Sequence, residues 1–130
     1  MAQTTTSRFQ PYLLSVMRIV IGFTFSLHGL QKLFGYFGGA KAPFLTLIWV
    51  TGFLEAVGGI LILVGLFTCP VAFILCGEMA VAYFRTHFPA GYLPIVNRGE
   101  LAVVYCFVFL YLSSAGAGPW SLDHLLRRDR

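Results

Sequence analysis

The chain alternates long apolar runs with short breaks rich in glycine, proline and polar residues. Four runs stand out, over residues 12–34, 44–67, 69–86 and 100–117. A helix needs about 20 mostly apolar residues to cross a bilayer, and the runs approach that length. The third is the shortest; it reaches the required span if Arg85 and His87 snorkel toward the interface. A closed β-barrel is the other way to satisfy backbone groups in lipid. It demands alternating strands, and Ile60-Leu61-Ile62-Leu63-Val64 does not alternate. The pattern predicts one all-α domain over 1–130, an integral membrane four-helix bundle running up-down-up-down.

The breaks predict the connections. Gly35-Tyr36-Phe37-Gly38-Gly39 puts glycine where a helix C-terminus wants a left-handed residue. Gly65-Leu66-Phe67-Thr68-Cys69-Pro70 is too short for anything but a tight turn, and Pro70 suits the first turn of a helix. Runs two and three therefore form an antiparallel hairpin. The stretch from Phe88 to Pro94 is a longer aromatic loop, suited to the headgroup region. Four spans place both termini on one side. Arg8, Arg127, Arg128 and Arg130 fall there, against Lys41, Arg85 and Arg98 opposite. By the positive-inside rule both termini are expected in the cytoplasm, in contact with an anionic leaflet. The first run carries Arg18 and no A-x-A site follows it, so a retained helix is expected, not a cleaved signal peptide.

Composition agrees with the pattern. Of the 130 residues 58% are hydrophobic and only 11% charged, and the mean hydropathy is +0.80. Soluble domains carry about 25% charge. The net charge of +4 is scattered or terminal, which gives no basic stripe for nucleic acid. Membrane lipid is the expected environment. Cys69, Cys76 and Cys106 lie in apolar runs without a CxxC, as small buried hydrophobes do. Cys69 and Cys76 are two turns apart on one helix face.

The charges inside the apolar runs change the picture most. All three glutamates (Glu55, Glu78 and Glu100) lie in or at the edge of a run, with Arg18, His28, Lys32 and Arg85. Such groups cost several kcal/mol in hydrocarbon, so they should turn inward and pair. His28 and Lys32 are four residues apart and share a helix face. Counted at 1.5 Å per residue, Lys32, Glu55 and Glu78 converge in the half of the bundle away from the termini. Arg85, His87, Asn97, Arg98 and Glu100 gather at the same face. The expected site is a polar pocket built on Lys32, Glu55 and Glu78, its mouth lined by His28, His87, Asn97 and Glu100. Histidine and lysine beside carboxylates are groups that move protons. A purely structural ion-pair network is the competing reading. Two histidines at one membrane face could hold a haem, but no paired-His spacing or c-type motif supports it, and no metal site is expected. Gly22, Ser26 and Gly29 on the first run and Gly52, Gly58 and Gly59 on the second would let helices approach closely.

Several of these segments resemble one family. Arg18 to Gly22 with His28-Gly-Leu-Gln-Lys32-Leu-Phe-Gly35, then Gly52-Phe-Leu-Glu55-Ala-Val-Gly58-Gly59, resemble the first two spans of the DoxX family of small membrane proteins. Ala82 to Gly91 with Asn97-Arg-Gly-Glu100 resembles its third loop, and Gly116 to Asp123 its C-terminal signature. Glu78 is not a familiar part of that pattern. The resemblance implies four helices in the prokaryotic inner membrane. It also implies a link to quinone chemistry, since the family is named for a subunit of a thiosulfate:quinone oxidoreductase, while other relatives serve as assembly factors. It assigns no catalytic residue. The combined expectation is a subunit of a quinone-linked membrane oxidoreductase, without a covalent cofactor, binding quinone and working with a protein partner or as a homo-oligomer. Two alternatives stay open: a scaffold or assembly factor without chemistry, and a small proton-coupled transporter. The chain carries no flavin, iron–sulfur or nicotinamide motif, so electrons would come from a partner.

Overall fold

The computed structural model describes residues 5–126, and among them every regular element is helical. A 3-10 turn (Thr5–Phe9) leads into α1 (Gln10–Phe34), followed by α2 (Leu47–Val64), α3 (Thr68–Ala82), a single turn α4 (Pro94–Asn97), α5 (Glu100–Ala115) and a short α6 (Leu122–Leu125). Three stretches, Thr5–Phe34, Leu47–Val64 and Thr68–Ala90, are long and apolar enough to cross a membrane, while Glu100–Ala115 is apolar but shorter. Arg127, Arg128 and Arg130, which weigh on the orientation, lie outside the described residues.

Local chemistry sets the ends. Pro11 occupies the first turn of α1, where a missing N–H costs nothing. Gly35 ends α1 at φ +72° and Gly65 ends α2 at φ +72°, as the sequence predicts. Thr46 caps α2 by accepting from Trp49 N. The third apolar run behaves differently from expectation. After Ala82 it does not continue as α-helix through residue 86 but widens into a π-helical turn (Tyr83–His87) and then a 3-10 turn (Phe88–Ala90). Pro89 lacks the N–H an α-helix would need here.

Packing follows two tight pairs, α1 on α2 and α3 on α5. The first is a backbone-to-backbone contact. Ser15, Arg18, Gly22, Ser26 and Gly29 form one buried stripe of α1, and Gly52, Ala56 and Gly59 one of α2. A Cβ on Gly59 would stand 2.6 Å from Ser26 N, and one on Gly29 2.6 Å from both Ala56 Cα and Gly52 O. Nothing larger than hydrogen fits there. Aromatic packing bridges the two pairs: Phe25 of α1 meets Tyr105 and Phe109 of α5 edge-on at 5.0 and 4.8 Å, around Ile62, Leu75 and Leu112.

Arg18 closes the terminal end. It is fully buried, and it pairs with backbone carbonyls, not with the carboxylates the charge pattern suggests. Its Nε donates to Ala117 O at 2.7 Å, and its Nη1 to Ile62 O and Leu63 O at 2.8 and 2.6 Å. Its Nη2 donates to Trp120 O. One guanidinium thus ties the last turn of α2 to the segment after α5. Asp123 completes the clasp. Its two oxygens accept from Phe67 N and Thr68 N at 2.8 and 2.9 Å, capping α3, while its own N–H donates to Gly65 O at 2.8 Å.

Gly29→Ala is expected to cost about 3 kcal/mol, as overpacking against backbone does at its severe end, while Gly77→Ala, with no atom within 4 Å of the added Cβ, is neutral or slightly stabilising through helix propensity. Thermal unfolding of the two variants in one detergent checks this. Arg18→Met should free the C-terminal segment: amide exchange at Phe67 and Thr68, slow in the parent, becomes fast, with the middle of α1 still protected.

Candidate functional site

The α1–α2 contact decides where the site forms. Gly29 rests on Ala56 and Gly52, and a Cβ on Gly52 would stand 2.7 Å from Lys32 Cβ. Lys32 is therefore held against the face of α2 that carries Glu55, one turn on. Its Nζ donates to Glu55 Oε1 at 2.6 Å. Glu55 is only 3% exposed, whereas the Lys32 side chain is about one-third exposed at 34%. The carboxylate is thus the committed partner, and the lysine keeps reach outward.

Glu78 approaches from the opposite wall. Glu55 lies ten residues before Gly65 and Glu78 ten residues after Thr68. At 1.5 Å per residue both sit about 15 Å from the tight turn, so the hairpin brings them to one level. The Glu78 carboxyl faces the Lys32–Glu55 pair and lies within hydrogen-bond reach of the Glu55 carboxyl, so that the two can share a proton. Yet among the described residues no N–H group donates to either of its oxygens or to Oε2 of Glu55, although all three are buried. Unpaired buried acceptors are rare in native proteins and ask for an explanation.

These groups line a groove of about 960 Å³ between α2 and α3. Its walls are largely apolar, with Leu47, Ile48 and Leu54 on α2 facing Ile74 and Val81 on α3. Thr46 and Thr51 add hydroxyls, and the π-helical turn places Arg85 and Thr86 at the loop-side end. Gly77 leaves part of the α3 wall without a side chain. The groove offers an apolar bed, one ammonium donor and three acceptor oxygens.

Of the residues expected to form the site, Lys32, Glu55 and Glu78 come together. His28, His87, Asn97 and Glu100 stand elsewhere, and Arg85 and Thr86 take the mouth. His28 is half-buried with its ring edge-on to Tyr105 at 6.0 Å. Asn97 is buried as the knot of the loop before α5. Its Nδ2 donates to Tyr83 Oη at 3.1 Å and Gly91 O at 2.9 Å, its Oδ1 accepts from Gly99 N, and its carbonyl contacts His87 Nδ1 at 3.2 Å. Glu100 is exposed in the first turn of α5, where the helix dipole favours it, beside a shallow depression with Arg98 and Pro94. Arg85 is also exposed, so these two charges do not turn inward as the apolar pattern suggests. Of the wall residues, Thr51 stands four positions before Glu55 and Val81 three after Glu78, spacings that put each on the glutamate's helix face. Among the described residues no cluster of three or more His, Cys, Asp or Glu could hold a metal ion. Cys76 Sγ lies 3.7 Å from Cys106 Sγ across α3 and α5, so Cys76 faces α5, and no disulfide joins the three cysteines.

The sequence pattern of the DoxX family matches residues 13–88, which include Lys32, Glu55, Glu78 and both groove walls. A Haemophilus influenzae protein described only as uncharacterised is 42% identical over 124 residues, covering 90% of this chain and 92% of its own length. No solved structure matches. The chain belongs to the DoxX family of membrane proteins.

Proposed function

We propose that the protein is a quinone-interacting subunit of an inner-membrane oxidoreductase, and that the groove between α2 and α3 is where the quinone head docks. One observation carries this reading: an ion-paired lysine and two buried carboxyl groups lie at the floor of a largely apolar groove about 960 Å³ in volume. A lipid-soluble ring with an isoprenoid tail would enter such a groove from the hydrocarbon, with no need for a water-filled path. A quinone, when bound there, would supply two-electron, two-proton redox chemistry. Lys32 Nζ would donate to a ring oxygen, and Glu55 and Glu78 would accept ring hydroxyl protons and hand them toward the loop-side face. The electrons would pass to or from a partner protein at the membrane surface.

The proposal includes four spans running up-down-up-down with both termini in the cytoplasm. At 16 residues, α5 spans only about 24 Å, so local thinning of the bilayer and the flanking residues make up the rest. Tyr12 and Trp120, in ring contact at 5.5 Å, would mark one interface, and Trp49, Phe88 and Tyr92 the other.

Protein extracted with its native lipid is expected to retain stoichiometric quinone by mass spectrometry. Lys32→Ala or Glu55→Gln should lower that occupancy about tenfold, the effect of one lost charge-assisted hydrogen bond. Glu100→Gln should not. A parent protein free of quinone but carrying a stoichiometric protein partner would make it an assembly factor instead.

A further inference from the structure

The groove floor holds three buried acceptor oxygens that meet no N–H donor among the described residues, and this holds whatever becomes of the quinone reading. Four ionisable groups face it: Lys32 from α1, Glu55 from α2, Glu78 from α3, and Arg85 from the turn that follows α3. Arg85 is exposed at the mouth and two helical turns from Glu78 along the chain, about 10 Å. At the floor, then, two carboxyls meet one ammonium. Lys32 satisfies Glu55 Oε1. The three buried oxygens without an N–H donor among the described residues are Glu55 Oε2 and both oxygens of Glu78. Glu55 is 97% buried, since 3% is exposed, so bulk water does not screen it.

From this we infer that the groove is a binding site for the ammonium head of a lipid-soluble amine, with its hydrocarbon body lying between α2 and α3. A primary ammonium carries three N–H donors and no acceptor. Three donors match the three oxygens, and one positive charge balances the one in excess once both carboxyls are ionised. Hydrogen bonds between ionised groups away from water are the strong ones. The body of such a molecule rests on Ile48 and Leu54 from one wall and Ile74 and Val81 from the other. A quaternary ammonium brings the charge without donors. An alcohol brings a donor without charge. Neither meets both demands. A proton held between the two carboxyls is the natural competitor, because it cancels the same charge.

The test uses the full chain in nanodiscs of zwitterionic lipid, with dodecylamine, dodecanol and dodecyltrimethylammonium as probes, each measured by its excess retention over empty nanodiscs. The amine is expected to bind at least about tenfold tighter than either of the others, a tenfold step being the loss of one strong charge-assisted bond. Its binding should strengthen from pH 5 to pH 8 as protons leave the carboxyl pair. Glu78→Gln should remove both the preference and the pH dependence, and Glu78→Asp should keep part of each. Glu100→Gln, outside the groove, should change neither. Equal retention of amine and alcohol, or a preference surviving in a folded Glu78→Gln, overturns the inference. The quinone reading fails separately, by absence of quinone from native-lipid extracts.

Discussion

The contact between the backbones of α1 and α2 governs the rest of the molecule. In hydrocarbon there is no hydrophobic force to press two helices together, since lipid tails are as apolar as leucine. Association depends on close atomic contact and polar pairing. The stripe of Gly22, Ser26 and Gly29 against Gly52, Ala56 and Gly59 supplies the first. It fixes the register of the two helices to within a residue. That register then supplies the second, because Lys32 can reach Glu55 only when Gly29 lies on Gly52 and Ala56. The glycines and the ion pair are one arrangement. The small residues hold the polar group deep in the molecule, and the ion pair lowers the cost of having it there.

The two ends of the hairpin are treated in opposite ways. At the tight turn two buried side chains take backbone groups at the helix ends. Arg18 takes carbonyls at the end of α2 and after α5, and Asp123 takes the first amides of α3. This matters because unsatisfied helix ends are costly, and more so near lipid. Over their whole length α2 and α3 share far less contact than α1 shares with α2 or α3 with α5. The groove occupies that space. A clasped apex and a loosely filled far end together give a pocket whose floor is rigid and whose walls belong to different packed pairs.

Much of this was readable from residues alone, for physical reasons. Apolar runs interrupted by glycine and proline are plain when the solvent is lipid, so a helix lies within each run, three of them in stretches long enough to cross a membrane, and the turn falls at Gly65. Counting residues from that turn was enough to bring Glu55 and Glu78 to one depth. The end of the third run was not legible, because a π-helical turn leaves apolar periodicity almost unchanged while shifting every later side chain by one position. Nor was the role of Arg18. Charge counting looks for a carboxylate, and Arg18 found four backbone carbonyls brought from residues 62, 63, 117 and 120. The clasp made by Asp123 was not legible for the same reason: its partners are amides 55 and 56 positions away. Glu100 and Arg85 resemble intramembrane charges in sequence, but each is exposed, one in the first turn of α5 and one in the turn that follows α3.

The chain has two lysines, Lys32 and Lys41, and three glutamates, Glu55, Glu78 and Glu100. Labelling lysine Nζ with nitrogen-15 and glutamate Cδ with carbon-13 therefore leaves little ambiguity. A solid-state NMR distance measurement between the two labels in native-like bilayers tests the register, the ion pair and the floor of the groove at once. The account predicts strong dipolar coupling between Lys32 and Glu55, lost in Glu55→Gln, in keeping with a contact of 2.6 Å. Coupling that is absent, or that survives in Glu55→Gln, would mean that α1 and α2 do not hold the register on which the site depends.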